Sequence, residues 1–163
     1  MRLGSWCLRL DRELAREVLP VVTYGLFVQM PRGDQAHALC VLRALRRSQG
    51  ACSPELEQAA LLHDVGKAGG RLTLAHRALV VLLGWRGAGV LERLAREDPR
   101  SWGHPFYVQV RHAELGAVRC AEAGCSPLTV ALVCYHEAAS MDAPAMPGLG
   151  EALLALKHAD DRC

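Results

Sequence analysis

The stretch Leu56-Glu57-Gln58-Ala59-Ala60-Leu61-Leu62-His63-Asp64-Val65-Gly66-Lys67 decides how this chain reads. Leu56, Ala59 and Ala60 recur at helical spacing, and the same series of i, i+3, i+4, i+7 and i+8 carries His63 and Asp64 onto the buried stripe. An unpaired carboxylate buried there is costly. A divalent cation clasped by both side chains removes that cost. An isolated His-Asp pair also has a plainer reading, a satisfied core histidine beside a helix-terminal aspartate. The rest of the chain has to decide between the two.

Working outward, Ser53-Pro54 supplies an N-cap followed by proline at the first helical position, which starts the helix that carries His63 and Asp64. Gly66, Gly69 and Gly70 then favour a turn. Upstream, Leu10 to Leu19 and Val21 to Met30 read as two helices, the second ended by the turn signal Pro31-Arg32-Gly33-Asp34. Asp34 is expected to cap a helix from Gln35 to Arg47, whose stripe of His37, Cys40, Val41, Ala44 and Leu45 points His37 inward. Downstream, Leu72 to Leu83 reads as a buried helix, Val90 to Arg96 as a short exposed one and residues 97 to 107 as an ordered loop. Arg111 to Ala123 carries His112, Leu115, Gly116 and Cys120 on one face. Leu128 to Ala139 follows a second Ser-Pro cap and aligns His136 with Leu132 and Val133, and a last helix from about Leu149 aligns Leu153, Leu156 and Asp160. The fold class is therefore all-α.

The bulk composition agrees with that class: 51% of the 163 residues are apolar and only 5% aromatic, with Ala and Leu dominating, so packed helices are favoured over a sheet. The length fits one domain. A net charge of +2 supplies no basic face for nucleic acid, and the apolar stretches Val18 to Met30 and Ala78 to Trp85 are too short to cross a membrane. No signal-peptide pattern precedes Arg9, Asp11 and Arg12. The seven cysteines include no Cys-x-x-Cys pair, and Cys40, Cys120 and Cys134 lie in apolar helical runs, so they read as reduced core residues of a cytoplasmic protein.

His37, His63, Asp64, His112, His136 and Asp160 thus sit on five separate expected helices, each near a helix end. Imidazole and carboxylate together suit Mn, Fe, Zn or Mg, and the lack of thiolates argues against a structural zinc site. At this point the chain resembles the HD superfamily of metal-dependent phosphohydrolases, whose signature is an early His, a central His-Asp pair and a late Asp. Here these are His37 in Gln-Ala-His-Ala-Leu-Cys-Val, His63-Asp64 in Ala-Leu-Leu-His-Asp-Val-Gly-Lys, and Asp160 in Leu-Lys-His-Ala-Asp-Asp. His112 in His-Ala-Glu-Leu-Gly-Ala and His136 in Tyr-His-Glu look like the additional ligands of dinuclear members.

The resemblance spans about residues 35 to 161 and implies one HD domain over 1–163, with residues 1–34 as a helical extension. It implies hydrolysis of a phosphate ester or anhydride, a nucleotide or related phosphorylated small molecule as substrate, and one or two divalent ions. Asp64 would bridge them. Lys67 is the candidate for contact with phosphate and for stabilising transition-state charge, beside the plainer reading of a solvated lysine at a helix end next to Gly66, and Arg111 is a further substrate-binding candidate, beside the default of a charged residue on a surface helix. Arg119, His76, His104 and His158 read as structural or surface residues, with His76 the nearest to the site. No Gly-Tyr-Pro follows Tyr135-His136-Glu137, which argues against cyclic di-GMP hydrolysis. The competing expectation is a catalytically silent HD-fold signalling or ligand-binding module.

Overall fold

Ser53 does cap the helix that follows it: its hydroxyl accepts a hydrogen bond from the Leu56 amide at 3.3 Å, and Pro54 occupies a position where no amide proton is needed. In the computed structural model, which describes residues 10–70, 88–137 and 143–163, this central helix runs Pro54–Leu62. Leu56 and Ala59 to Leu62 are buried, and full burial of a leucine contributes about 1.5 to 3 kcal/mol. Helix formation stops one residue short of His63.

Around it lie α1 (Arg12–Val18), α2 (Val21–Gln29) and α3 (Arg32–Gln49) on the N-terminal side, the central helix being α4. After a short 3-10 helix, Val65–Gly69, come α5 (Ala88–Leu94), α6 (His104–Glu122), α7 (Pro127–Tyr135) and α8 (Leu149–Asp160). No strand occurs among the described residues. Helix α4 packs against α3, α7 and α8, while α6 covers the 3-10 helix and α7. The architecture is an all-helical bundle whose core joins Leu39, Leu42, Leu45, Leu61, Leu62, Leu132 and Leu156. Ser126 repeats the capping of Ser53 at the start of α7, and the Thr129 hydroxyl donates to the Glu55 carbonyl at 3.3 Å, tying the first turns of α7 and α4 together.

Several sequence boundaries move. Pro31-Arg32-Gly33-Asp34 is not a free turn, because α3 begins at Arg32 and Asp34 lies in its first turn instead of capping it. The buried Gln35 amide closes this junction by donating to the Met30 carbonyl at 2.7 Å. Helix α6 starts at His104, seven residues earlier than Arg111, because Pro105 falls in the first turn, where proline is tolerated. The segment expected to run to Ala139 ends at Tyr135. The expected helix Leu72 to Leu83 and His76 lie outside the described residues.

Cys40 is the main departure among the cysteines. It is bonded to Cys163, with the two Cα atoms 5.9 Å apart, because α8 packs along α3 and brings the turn that follows it beside Cys40. A separation of 123 residues leaves no local signal for this pair. Cys120 is a buried thiol, and Cys134 is a free, partly exposed one. Among the described residues, no helix is long and apolar enough to cross a membrane.

Candidate metal centre

Three buried histidines are oriented by one device. The ring Nδ1 of His63 lies 3.1 Å from the Ala60 carbonyl, that of His112 2.8 Å from Gln109, and that of His136 2.8 Å from Val133. In each case the acceptor is three residues back, so Nδ1 carries the proton and Nε2 presents a lone pair. All three Nε2 atoms then face one carboxylate, Asp64. Among the described residues, the Nε2 atoms of His63 and His112 have no hydrogen-bond partner despite their burial.

Asp64 divides them between its two oxygens. Oδ2 lies 3.7 Å from His63 Nε2, whereas Oδ1 lies 3.5 Å from His112 Nε2 and 4.0 Å from His136 Nε2. On the first side, Asp160 Oδ1 is 3.6 Å from His63 Nε2 and 2.8 Å from His37 Nε2. Ligand bonds of about 2.1 Å place neighbouring ligand atoms about 3.0 to 3.4 Å apart, depending on the coordination angle. The observed separations, 2.8 Å for His37 to Asp160 and 3.5 to 4.0 Å for the rest, lie on either side of that range, and most are too long for hydrogen bonds. Two groups in mutual reach of an ion result, His37-His63-Asp64 and Asp64-His112-His136, sharing Asp64.

Local backbone explains why Asp64 sits between them. His63 keeps helical geometry as the last residue of the α4 turn, and Asp64 follows at φ −96°, ψ 6°, before the 3-10 helix begins. That helix crosses α6 at Gly66 and Gly116, where a Cβ on Gly66 would strike the His112 carbonyl and lie 2.8 Å from the Gly116 amide nitrogen. Glycine at position 66 therefore lets Asp64 approach His112. Arg119 fastens the crossing by donating to the Val65 carbonyl at 2.9 Å and to the Gln29 side chain.

Protonation suits cation binding. Burial pushes the His63 imidazole down to about 4, outweighing the pull of Asp64, so it is neutral at pH 7. Burial also lowers His112, helped by Lys67. For Asp64, burial pushes the carboxyl up, but His63, Lys67 and His112 outweigh it and hold it down to about 2. With His63 uncharged at neutral pH, Lys67 is the cation that keeps Asp64 ionised, its Nζ lying 2.7 Å from Oδ1. Contact with Asp160 raises His37, and the same contact lowers Asp160.

The structure thus gathers His37, His63, Asp64, His112, His136 and Asp160 at one place. Lys67 joins them through Asp64. Arg111 does not: it is exposed on α6 and paired with Glu114 at 2.8 Å. Arg119 serves the helix crossing, His104 bonds to the Glu97 carbonyl at the start of α6, and His158 is exposed. One residue escaped the sequence reading. Glu137, directly after His136, brings Oε1 to 3.4 Å from His112 Nε2 at the mouth of the cluster. Its position in Tyr135-His136-Glu137 was the available signal, but helical spacing alone does not turn it inward. No family model matches the chain, and no curated protein or solved structure matches it.

Proposed function

We propose that this chain is a metal-dependent phosphohydrolase of the HD type, acting on a nucleotide or a related small phosphate ester or anhydride. The observation that carries the proposal is the set of three buried imidazoles with Nδ1 committed to backbone carbonyls and Nε2 aimed at the two oxygens of Asp64. A purely structural cluster would satisfy those nitrogens with donors. Here the described residues leave those of His63 and His112 without any.

His37, His63, Asp64 and Asp160 would hold one divalent ion, and Asp64, His112 and His136 would hold a second. Such an ion, when bound, supplies hydroxide at neutral pH and draws charge from a phosphoryl oxygen. The carboxylate of Asp64 would tie both positions together. Lys67, held at Asp64 Oδ1, is placed to contribute positive charge where phosphate negative charge develops. Glu137, with its side chain 57% exposed, is placed to hold a water or a ligand proton at the mouth.

The test is metal analysis of the purified protein combined with an activity screen, supplied with Mn or Fe, across phosphomonoesters, linear and cyclic dinucleotides and nucleoside polyphosphates. Wild type is expected to bind metal and turn over one of these classes. Asp64→Ala should lose both while its far-UV circular dichroism stays helical. Undiminished turnover in Asp64→Ala would overturn the proposed chemistry, and metal binding without turnover of any class would leave a binding module.

A further inference from the structure

We infer that Cys40 and Cys163 form a redox-modifiable site whose bond controls how tightly the exposed half of the metal centre holds its ion. The inference rests on the metal-centre reading above. The residues are arranged as two parallel cross-links between the same two elements. His37 and Cys40 lie three residues apart on α3, and Asp160 and Cys163 lie three residues apart at the end of α8 and in the turn beyond it. Residues at that spacing share a helix face. The turn keeps the helical trace, since the Cys163 amide donates to the Asp160 carbonyl at 2.9 Å. One rung is therefore His37 to Asp160 at 2.8 Å, and the next is the covalent bond.

The rung with the bond supports the part of the centre that needs it. The side chains of His63, Asp64, His112 and His136 are at most 6% exposed and are fixed by packing. His37 and Asp160 are 31% and 37% exposed, at the solvent edge of the same cluster. Packing holds α8 through Leu153, Leu156 and Ala159, but Asp160 itself is its last residue, where helices fray. A covalent link immediately beyond it limits that fraying. Breaking the link frees the end of α8 to carry Asp160 away from His37, while Asp64, His112 and His136 stay in place.

The bond is open to exchange. Cys163 is exposed and Cys40 partly so, which makes Cys163 Sγ the point of attack. The thiolate of a dithiol reductant attacks Cys163 Sγ, the Cys40–Cys163 bond breaks, and Cys40 leaves as a thiolate that takes up a proton. The second thiol of the reductant then displaces Cys163, so the reductant ends as a disulfide and Cys40 and Cys163 as two thiols. Where cytosolic disulfides occur they are mostly transient and redox-sensing.

The experiment compares Mn2+ affinity of the full chain in three states: oxidised wild type, wild type reduced with a dithiol and then freed of it under anaerobic conditions, and Cys163→Ser. Mn2+ is the probe because it binds thiols poorly. Alkylation and mass analysis report the state of Cys40 and Cys163, and circular dichroism reports the fold. We expect reduction to weaken binding of one Mn2+ by about 10- to 100-fold, the range of lost outer-sphere support. Cys163→Ser should match the reduced protein whether or not dithiol is added. Equal affinity in oxidised and reduced wild type would overturn the inference while leaving the metal centre intact, as would alkylation of both cysteines in unreduced protein. Failure of every form to bind Mn2+, with Asp64→Ala no different, would overturn the metal-centre reading and this inference with it.

Discussion

Gly66→Ala should damage the candidate metal centre without replacing any of its proposed ligands. The added methyl would lie 2.8 Å from the Gly116 amide nitrogen and closer still to the His112 carbonyl oxygen. Carbon contacts settle at about 3.5 to 4.0 Å, so relieving the closer contact requires the crossing to open by about 1.5 Å. The obstructing atoms are backbone of α6, and no rotamer change relieves the clash. Overpacking of this kind costs about 1 to 3 kcal/mol, offset by the 0.4 to 1 kcal/mol or so gained when glycine becomes alanine. A net loss of about 1 to 2 kcal/mol is expected in urea unfolding of the metal-free protein. The larger effect falls on the site, because the separation of Asp64 Oδ1 from His112 Nε2 is 3.5 Å and a shift of that size exceeds the roughly 0.5 Å tolerance of a working constellation. Metal affinity should fall at least about tenfold. Gly69→Ala is the matched control, since a Cβ there meets nothing within 4 Å among the described residues. Wild-type stability and metal affinity in Gly66→Ala would refute the close-crossing argument.

Lys67→Ala should separate two roles that the sequence merged: the removal of a cation 2.7 Å from Asp64 Oδ1 should tighten binding of a second metal ion, while turnover drops on the order of 10- to 1000-fold. Weaker second-ion binding, followed by calorimetric titration, would show that Lys67 does not compete for that oxygen. Replacing His112 and His136 together by Ala should lower the bound metal from two equivalents toward one at saturating Mn; an unchanged stoichiometry by elemental analysis would remove both from the donor set. The metal-free protein should lose stability as pH falls from 6.5 toward 4, because His63 is held near 4 when folded and returns to 6.5 when unfolded, so the unfolded chain takes up the extra proton. That loss is about 3 kcal/mol for His63 alone, and urea melts that are flat between pH 7 and 4.5 would contradict the buried neutral imidazole.

The helical class and the convergence of ligands were legible because both depend on periodicity. Leu56, Ala59, Ala60, His63 and Asp64 keep one face whether or not the helix continues past Leu62, since His63 retains helical dihedrals as it ends. The same arithmetic turned His37, His112, His136 and Asp160 inward. Boundaries were less legible where one residue has two uses. Pro105 reads as a breaker but serves in the first turn of α6, and the Pro31 to Asp34 segment reads as a turn although helix α3 begins inside it. Gly66 was legible as a helix stop, yet its reason is long-range, the backbone of α6 beside it.

What periodicity cannot carry is the identity of the ring nitrogen that faces the cluster. A histidine placed on a buried stripe has two ring nitrogens, and only a partner chooses between them. In His63, His112 and His136 that partner is the helix itself: the carbonyl three residues back takes Nδ1, and each of these helices or helix ends lends the same acceptor at the same spacing. The choice follows from ending or running a helix at the histidine, so it is encoded, but in dihedrals that emerge only once α4, α6 and α7 are packed. The disulfide and Arg111 mark the opposite limit. Cys40 meets Cys163 only because α8 lies along α3, and Arg111, though adjacent to His112, faces away because consecutive helical residues point about 100° apart. Arg111 is an exposed surface residue of α6 paired with Glu114, while spacing by three and four residues brought every histidine of the cluster to one place.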